Sequence, residues 1–276
     1  MGRDSDVHQT SDGDELKLST NPKFLTLSDK NDNSHIIESL VGILHKGGIV
    51  AVPTDTVYGV ACLAQSTEAV EKLYSIKSRN PLKPIAICVG ESYDVCQWVR
   101  FPEGLINNVA EIAEQRDKNV IAPQSSHNSA IALQPLLDDL LPGPVTIVSE
   151  RSPTLNSHLN AKTSLVGIRV PDNEFIRSLA NRLREPLALT SANISGEETA
   201  LTIDGFKKMW SSLDAVVDGG EVGAKYIDKQ LKYAREGSTV FKFMDDGCSF
   251  KVIRAGCAYE ETVKILQGKW KLKLDV

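Results

Sequence analysis

The chain has no G-x-x-x-x-G-K-[ST] loop and no strand-linked G-x-G-x-x-G, so neither a P-loop nor a Rossmann nucleotide site is supported. It has no G-x-S-x-G elbow and no Cys/His nucleophile pattern. Its five cysteines form no C-x-x-C pair, and its five histidines show neither H-x-H nor H-E-x-x-H spacing, which argues against a protein-held zinc. An odd number of thiols, three of them in apolar runs, reads as buried free cysteines in a reducing compartment. No apolar run reaches the length of a membrane span. Residues 1–35 carry seven acidic side chains, from Asp4 to Asp32, too many for a mitochondrial transit peptide, and they contain no secretory apolar core. The expected location is the cytoplasm, with a mitochondrial pool left open through an alternative start or splice form. A net charge of -5 gives no broad basic face for coating nucleic acid.

What is present is an ordinary globular composition: 276 residues, 41% hydrophobic and 24% charged, enough for a sizeable core. Residues 1–33 are polar and aperiodic and read as a disordered acidic tail; residues 34–276 read as a single domain. Ile37, Leu40, Val41 and Leu44 form a helical stripe with Ser34 as its cap, ending at Gly47-Gly48. A second helix is expected from Thr67, its cap, to Arg79. Others are expected at Glu174–Arg184, Ile203–Trp210 and Tyr259–Gln267. Apolar runs predict strands at Ile49–Val52, Pro84–Val89, Val145–Ser149, Leu165–Val170, Leu187–Leu189, Ala215–Val217, Thr239–Phe243 and Phe250–Ile253. Residues 115–130 read as a polar surface excursion. The alternation defines an α/β chain with a mixed sheet, parallel in the first half and antiparallel in the closely spaced strands after Val217.

Three runs carry chemistry. Thr54-Asp55-Thr56 follows a strand, where open α/β sheets collect ligands; taken alone, a turn with side-chain-to-backbone bonds explains it as well or better. Lys77, Arg79 and Lys83 cluster where a helix ends, and either complement the helix dipole or clamp a triphosphate. Ser191-Ala192-Asn193 after Leu187–Leu189 suits a turn cap, or phosphate and ribose. Arg169, alone in an apolar strand, needs an anion: a core carboxylate or, the favoured reading, a ligand carboxylate.

In a fixed order, PTDTVYG, the K-x-R and KP cluster, LPGPVT, VGIRVP, the S-x-N of LTSANISG, VVDGG, REGSTV and VIRAG resemble the YrdC family from about Ser39 to Gln267. The resemblance implies a twisted open mixed α/β sheet with a concave, positively charged cleft. It implies a nucleotidyltransferase that makes threonylcarbamoyl-AMP and pyrophosphate from L-threonine, bicarbonate or CO2, and ATP with Mg2+. A separate complex would transfer the group to tRNA, forming N6-threonylcarbamoyladenosine at position 37. By motif, Lys77, Arg79, Ser191 and Asn193 are the implied catalytic set. Arg79, Lys83, Leu165, Ser191, Thr199 and Arg254 would face ATP; Thr56, Cys88, Arg169, Leu189 and Ser238 would face threonine. Cys88 and Leu165 depart from the histidine and threonine of some relatives. The alternative is a non-catalytic double-stranded-RNA-binding module; carbamoyl transfer of the hydrogenase-maturation type would bring C-x-x-C elements, and none is present.

Overall fold

Val50 and Val52 point to one face of a strand and Ala51 to the other, and this alternation sorts the whole core into two clusters on the two faces of a sheet. The computed structural model describes residues 21–28, 32–77, 84–116, 129–194, 196–227, 233 and 235–275. Its strands are β1 (Lys23–Thr26), β2 (Val50–Val52), β3 (Gly59–Leu63), β4 (Ala86–Cys88), β5 (Val99–Arg100) and β6 (Val145–Arg151). They continue with β7 (Leu165–Arg169), β8 (Leu187–Ser191), β9 (Ala215–Asp218), β10 (Thr239–Phe243), β11 (Ser249–Arg254) and β12 (Lys273–Asp275). The spatial order is β1-β9-β2-β3-β8-β4-β7-β6-β10-β11-β12, with β5 on β6.

Helix α1 (Ser34–His45) buries Ile36, Leu40, Val41 and Leu44 against one face. After α2 (Thr67–Ile76), α3 (Val95–Trp98), α4 (Glu103–Arg116) and α5 (Ser129–Asp138) comes α6 (Glu174–Leu183), which packs on α1 and adds Phe175, Ile176 and Leu179 to the same cluster. Arg182 donates to both carboxylate oxygens of Glu38 (2.6 and 3.0 Å) across that contact. The opposite face carries the larger cluster, to which α2 gives Val70 and Leu73, α4 Leu105 and Val109, and α5 Leu133 and Leu136. Short α7 (Ala224–Ile227) follows β9, and α8 (Tyr259–Lys264) runs on into a π turn at Ile265–Lys269.

The mixed sheet is as expected, and β10–β11 is antiparallel. The parallel first half is not. β2 and β3 pair antiparallel, Ala51 opposite Val60, because residues 53–58 are too short for the crossover a parallel pair requires. β8 lies antiparallel to both β3 and β4, and β7 antiparallel to β6, while β4–β7 is parallel. The disordered tail over 1–33 is also corrected in part. β1 adds in parallel to β9, Leu25 and Leu27 join the α1–α6 cluster, and Phe24 packs edge-on to Trp210 at 4.8 Å. Residues 1–20, and 117–128 of the polar excursion, lie outside the described residues.

Two caps shift by one residue. Ser66, not Thr67, accepts the Ala69 amide (3.2 Å) at the start of α2. At α1 the N-cap is Asn33 rather than Ser34, with Asp32 accepting the Ser34 amide (2.9 Å), and Gly47 takes the left-handed conformation (φ 77°) past the helix end.

Leu179 is fully buried between α6 and the sheet. Leu179→Ala is expected to lower unfolding free energy by about 2–5 kcal/mol in denaturant titration, and Leu179→Met by less than ~1.5 kcal/mol. Equal effects would show that this cluster is not close-packed.

Candidate active site

A cleft of about 410 Å³ opens where the chain leaves β2, β7 and β8 and enters β10. Its position follows from the sheet: loops after neighbouring strands meet there, and the polar runs sit on those loops.

The Thr54 hydroxyl behaves as a turn residue, accepting the amides of Thr56 (3.1 Å) and Val57 (3.3 Å) and donating to the Val57 carbonyl (2.7 Å). This holds the hairpin loop in one shape and puts Thr56 on the cleft wall, its hydroxyl 3.3 Å from that of Thr54. The Tyr58 hydroxyl accepts the Gly219 amide (2.9 Å) and donates to the Gly220 carbonyl (2.8 Å), tying the loop to the end of β9. Burial pushes that phenol up to about 12. Gly223 (φ 73°) packs so close that a Cβ there would lie 2.2 Å from the Thr56 carbonyl oxygen.

Across the cleft, Ser238 at the entrance to β10 exchanges a 2.8 Å hydrogen bond with Thr146, and its carbonyl accepts from Arg254 Nη2 (2.7 Å). Arg169 ends β7 on the wall. The anion beside it is a core carboxylate: Asp55 accepts from Arg169 Nη2, and its other oxygen accepts the Asp172 amide at 3.0 Å. The ligand reading of Arg169 is thus not the whole account, since the protein already supplies a counter-ion.

Thr56, Arg169, Leu189 and Ser238, the threonine set, therefore share one wall with Leu165, Ser191, Thr199 and Arg254 of the ATP set. Leu165 and Ile253, 37% and 54% exposed, make an apolar rim. Thr163, two residues before Leu165, supplies a hydroxyl to the same wall and accepts the Leu165 amide (3.1 Å). The Thr199 hydroxyl donates to the Arg235 carbonyl (2.8 Å).

Lys77 and Asn193 are placed differently. Lys77 is 1% exposed and off the wall; its ammonium donates to the Ser191 carbonyl (2.6 Å), to the Asn193 carbonyl and toward Asn193 Oδ1 (3.4 Å). Ser191 donates to the same Oδ1 (2.5 Å), and Asn193 Nδ2 to the Glu197 carbonyl (2.6 Å). The K-x-R lysine thereby holds the S-x-N turn that carries Ser191. Arg79 and Lys83 lie outside the described residues.

Cys88 is placed apart from the rest of the threonine set. It is fully buried in the α1–α6 cluster, its thiol directed to the Val89 carbonyl (3.8 Å) and pushed up to about 12 by burial. It pairs in register with Arg169 but does not reach the wall, whereas Ala86, two residues earlier, does. Of the five free thiols Cys62, Cys88 and Cys257 are buried, Cys96 is half-buried, and Cys248 is exposed, against the expectation of burial.

The sequence reading missed Asp55 as the partner of Arg169, as well as Thr146, Thr163, Glu236 and the pinning role of Asn160. Asn160 (φ 55°) accepts the Ile85 amide (2.8 Å) and donates to the Ile85 carbonyl (2.9 Å), fixing the backbone just before β4. Only Thr163 carried a local signal, a hydroxyl beside the apolar Leu165.

The fold and site define a class. The Sua5/YciO/YrdC family model, described as telomere recombination, matches residues 42–256. A human protein named threonylcarbamoyl-AMP synthase is 42% identical over 238 residues, 86% of this chain and 72% of that one. Among solved structures, P. abyssi Sua5 complexed with L-threonine superposes with a TM-score of 0.67 at 21% identity, covering 91% of this chain and 62% of that one. E. coli YciO superposes at 0.64 and 20% identity, covering 85% and 96%. The chain belongs to the Sua5/YciO/YrdC family.

Lys77→Met keeps the aliphatic stem but strands the Ser191 and Asn193 carbonyls. It is expected to cost about 1–3 kcal/mol in denaturant unfolding, with faster amide exchange confined to residues 191–194. Unchanged exchange there would refute the pinning role.

Proposed function

We infer that the chain is a threonylcarbamoyl-AMP synthase, joining L-threonine, bicarbonate or CO2, and ATP and releasing pyrophosphate. The observation that carries this is the sharing of one cleft by the two motif sets: Thr56, Arg169, Leu189 and Ser238 beside Ser191, Thr199 and Arg254. The names of the curated relatives support this reading over the double-stranded-RNA-binding alternative.

The chemistry needs positioning more than it needs acids and bases. The threonine amine adds to CO2, loses a proton to solvent and becomes a carbamate. A carbamate oxygen then attacks the α-phosphorus as the bond to the β-phosphate oxygen breaks, so that pyrophosphate leaves. Uniting three reactants carries a large entropic barrier, which a preformed cleft lowers. Among the described wall residues Glu236 is the one carboxylate and there is no histidine, so no side chain is assigned as general base. Arg169 would take the threonine carboxylate, and the hydroxyls of Thr56 and Ser238 the rest of the amino acid. Arg254 and Ser191 would meet the nucleotide, and Arg79 and Lys83 the departing pyrophosphate.

Mg2+ is proposed to come with the nucleotide, as part of the MgATP substrate. The described residues hold no cluster of three His, Cys, Asp or Glu side chains that would bind it as a resident ion, which suits a metal carried by phosphate oxygens and water. Transfer of the product to tRNA by a separate complex, a cytoplasmic location and any weak RNA binding belong to the proposal. No described helix is long and apolar enough to cross a membrane.

The full chain with ATP, threonine, bicarbonate and Mg2+ is expected to release pyrophosphate only when threonine is present, and to slow when bicarbonate and CO2 are removed. Folded protein that releases none, or releases it regardless of threonine, would overturn the reading.

A further inference from the structure

We propose that Asp55 is a positioning residue, which fixes the Arg169 guanidinium so that one terminal nitrogen is committed to the protein and the other is left to the amino-acid substrate. This rests on the synthase reading above.

The side chains are 0% and 9% exposed, and 114 positions separate them in the sequence. Both oxygens of Asp55 are engaged, one by Arg169 Nη2 and the other by the Asp172 amide just past β7 (3.0 Å). The carboxylate cannot rotate without giving up one of these bonds, so it clasps the strand end and the guanidinium together. Arg169 Nε is buried with no hydrogen-bond partner. Buried donors are rarely left unmade, and a guanidinium free to turn would have satisfied this one. Nη1 has no hydrogen-bond partner among the described residues, and Arg169 lines the cleft. A planar cation held through Nη2 presents Nη1 in one direction before any ligand arrives, so less ordering remains to be done on binding.

The pair also sets the charge of this end of the cleft. Asp55 neutralises Arg169, which suits a zwitterionic amino acid. A lone guanidinium would also attract phosphate oxygens. Asp55 therefore keeps the polyanion out of the amino-acid end, a repulsive element in the choice between two substrates that share one cleft.

The test is a double-mutant cycle in the full chain: Asp55→Asn, Arg169→Gln and the double variant. It is read by KM for threonine, KM for ATP, and inhibition by inorganic pyrophosphate. Asp55→Asn is expected to raise the threonine KM by roughly 30-fold or more while the ATP KM moves less than about 3-fold. Pyrophosphate should become competitive with threonine in this variant and not in the wild type. The double variant should bind threonine no worse than Arg169→Gln, because the carboxylate then has nothing to position and its unpaired charge is gone. A double variant with a threonine KM about 10-fold above that of Arg169→Gln would overturn the proposal, and so would equal rises in both KM values for Asp55→Asn. If Asp55→Asn does not fold, the comparison of Arg169→Gln with the double variant, which buries no unpaired charge, decides alone. Absence of threonine-dependent turnover in the wild type would strike the synthase reading instead. Stabilisation of the chain by threonine alone against heat, retained or lost in Asp55→Asn, then tests Asp55 directly.

Discussion

A guanidinium taken out of water must find a negative charge or it destabilises the fold that buries it, and Arg169 meets that requirement through Asp55. Much of the cleft follows from this pair. It joins the hairpin loop after β2 to the end of β7, with three strands between them in the sheet, and through the Asp172 amide it extends to the turn leading into α6. Removing one partner would leave the other buried and uncompensated, so geometry and charge at this end of the site stand or fall together.

The Ser191 side of the cleft is organised by the same economy with a different cation. The ammonium of Lys77 engages carbonyls of the Ser191–Asn193 turn, linking the end of α2 to the end of β8. Each half of the site is thus held by one buried cation that bridges elements distant in sequence. Backbone packing completes the frame, with Gly223 against Thr56 and Asn160 against Ile85.

How much of this was legible follows from the range of each interaction. Thr239–Phe243 was readable to the residue because a strand declares itself through its own side chains. β3 was missed because Gly59–Leu63 follows the polar PTDTVY run without a break, and its antiparallel pairing depends on how tightly residues 53–58 turn. α5 was obscured by an internal Pro135, and the stripe of α4 by polar Asn107 and Asn108 between Leu105 and Val109. At the site, motif order named eight residues that lie on the wall, but Asp55 with Arg169 and Lys77 with Ser191 each span 114 positions. No local pattern could pair them. Cys88 fell on the expected strand and in register with Arg169; burial in the α1–α6 cluster keeps it from the wall.

Two substrate classes meeting in one cleft is the claim on which the account turns, and the fate of carbon from bicarbonate tests it most directly. The full chain incubated with ATP, L-threonine and ¹³C-bicarbonate should yield, by mass spectrometry, a nucleotide adduct that contains AMP, threonine and one ¹³C carbon. Threonine joined to AMP without the labelled carbon, or ADP as the nucleotide product, would contradict it.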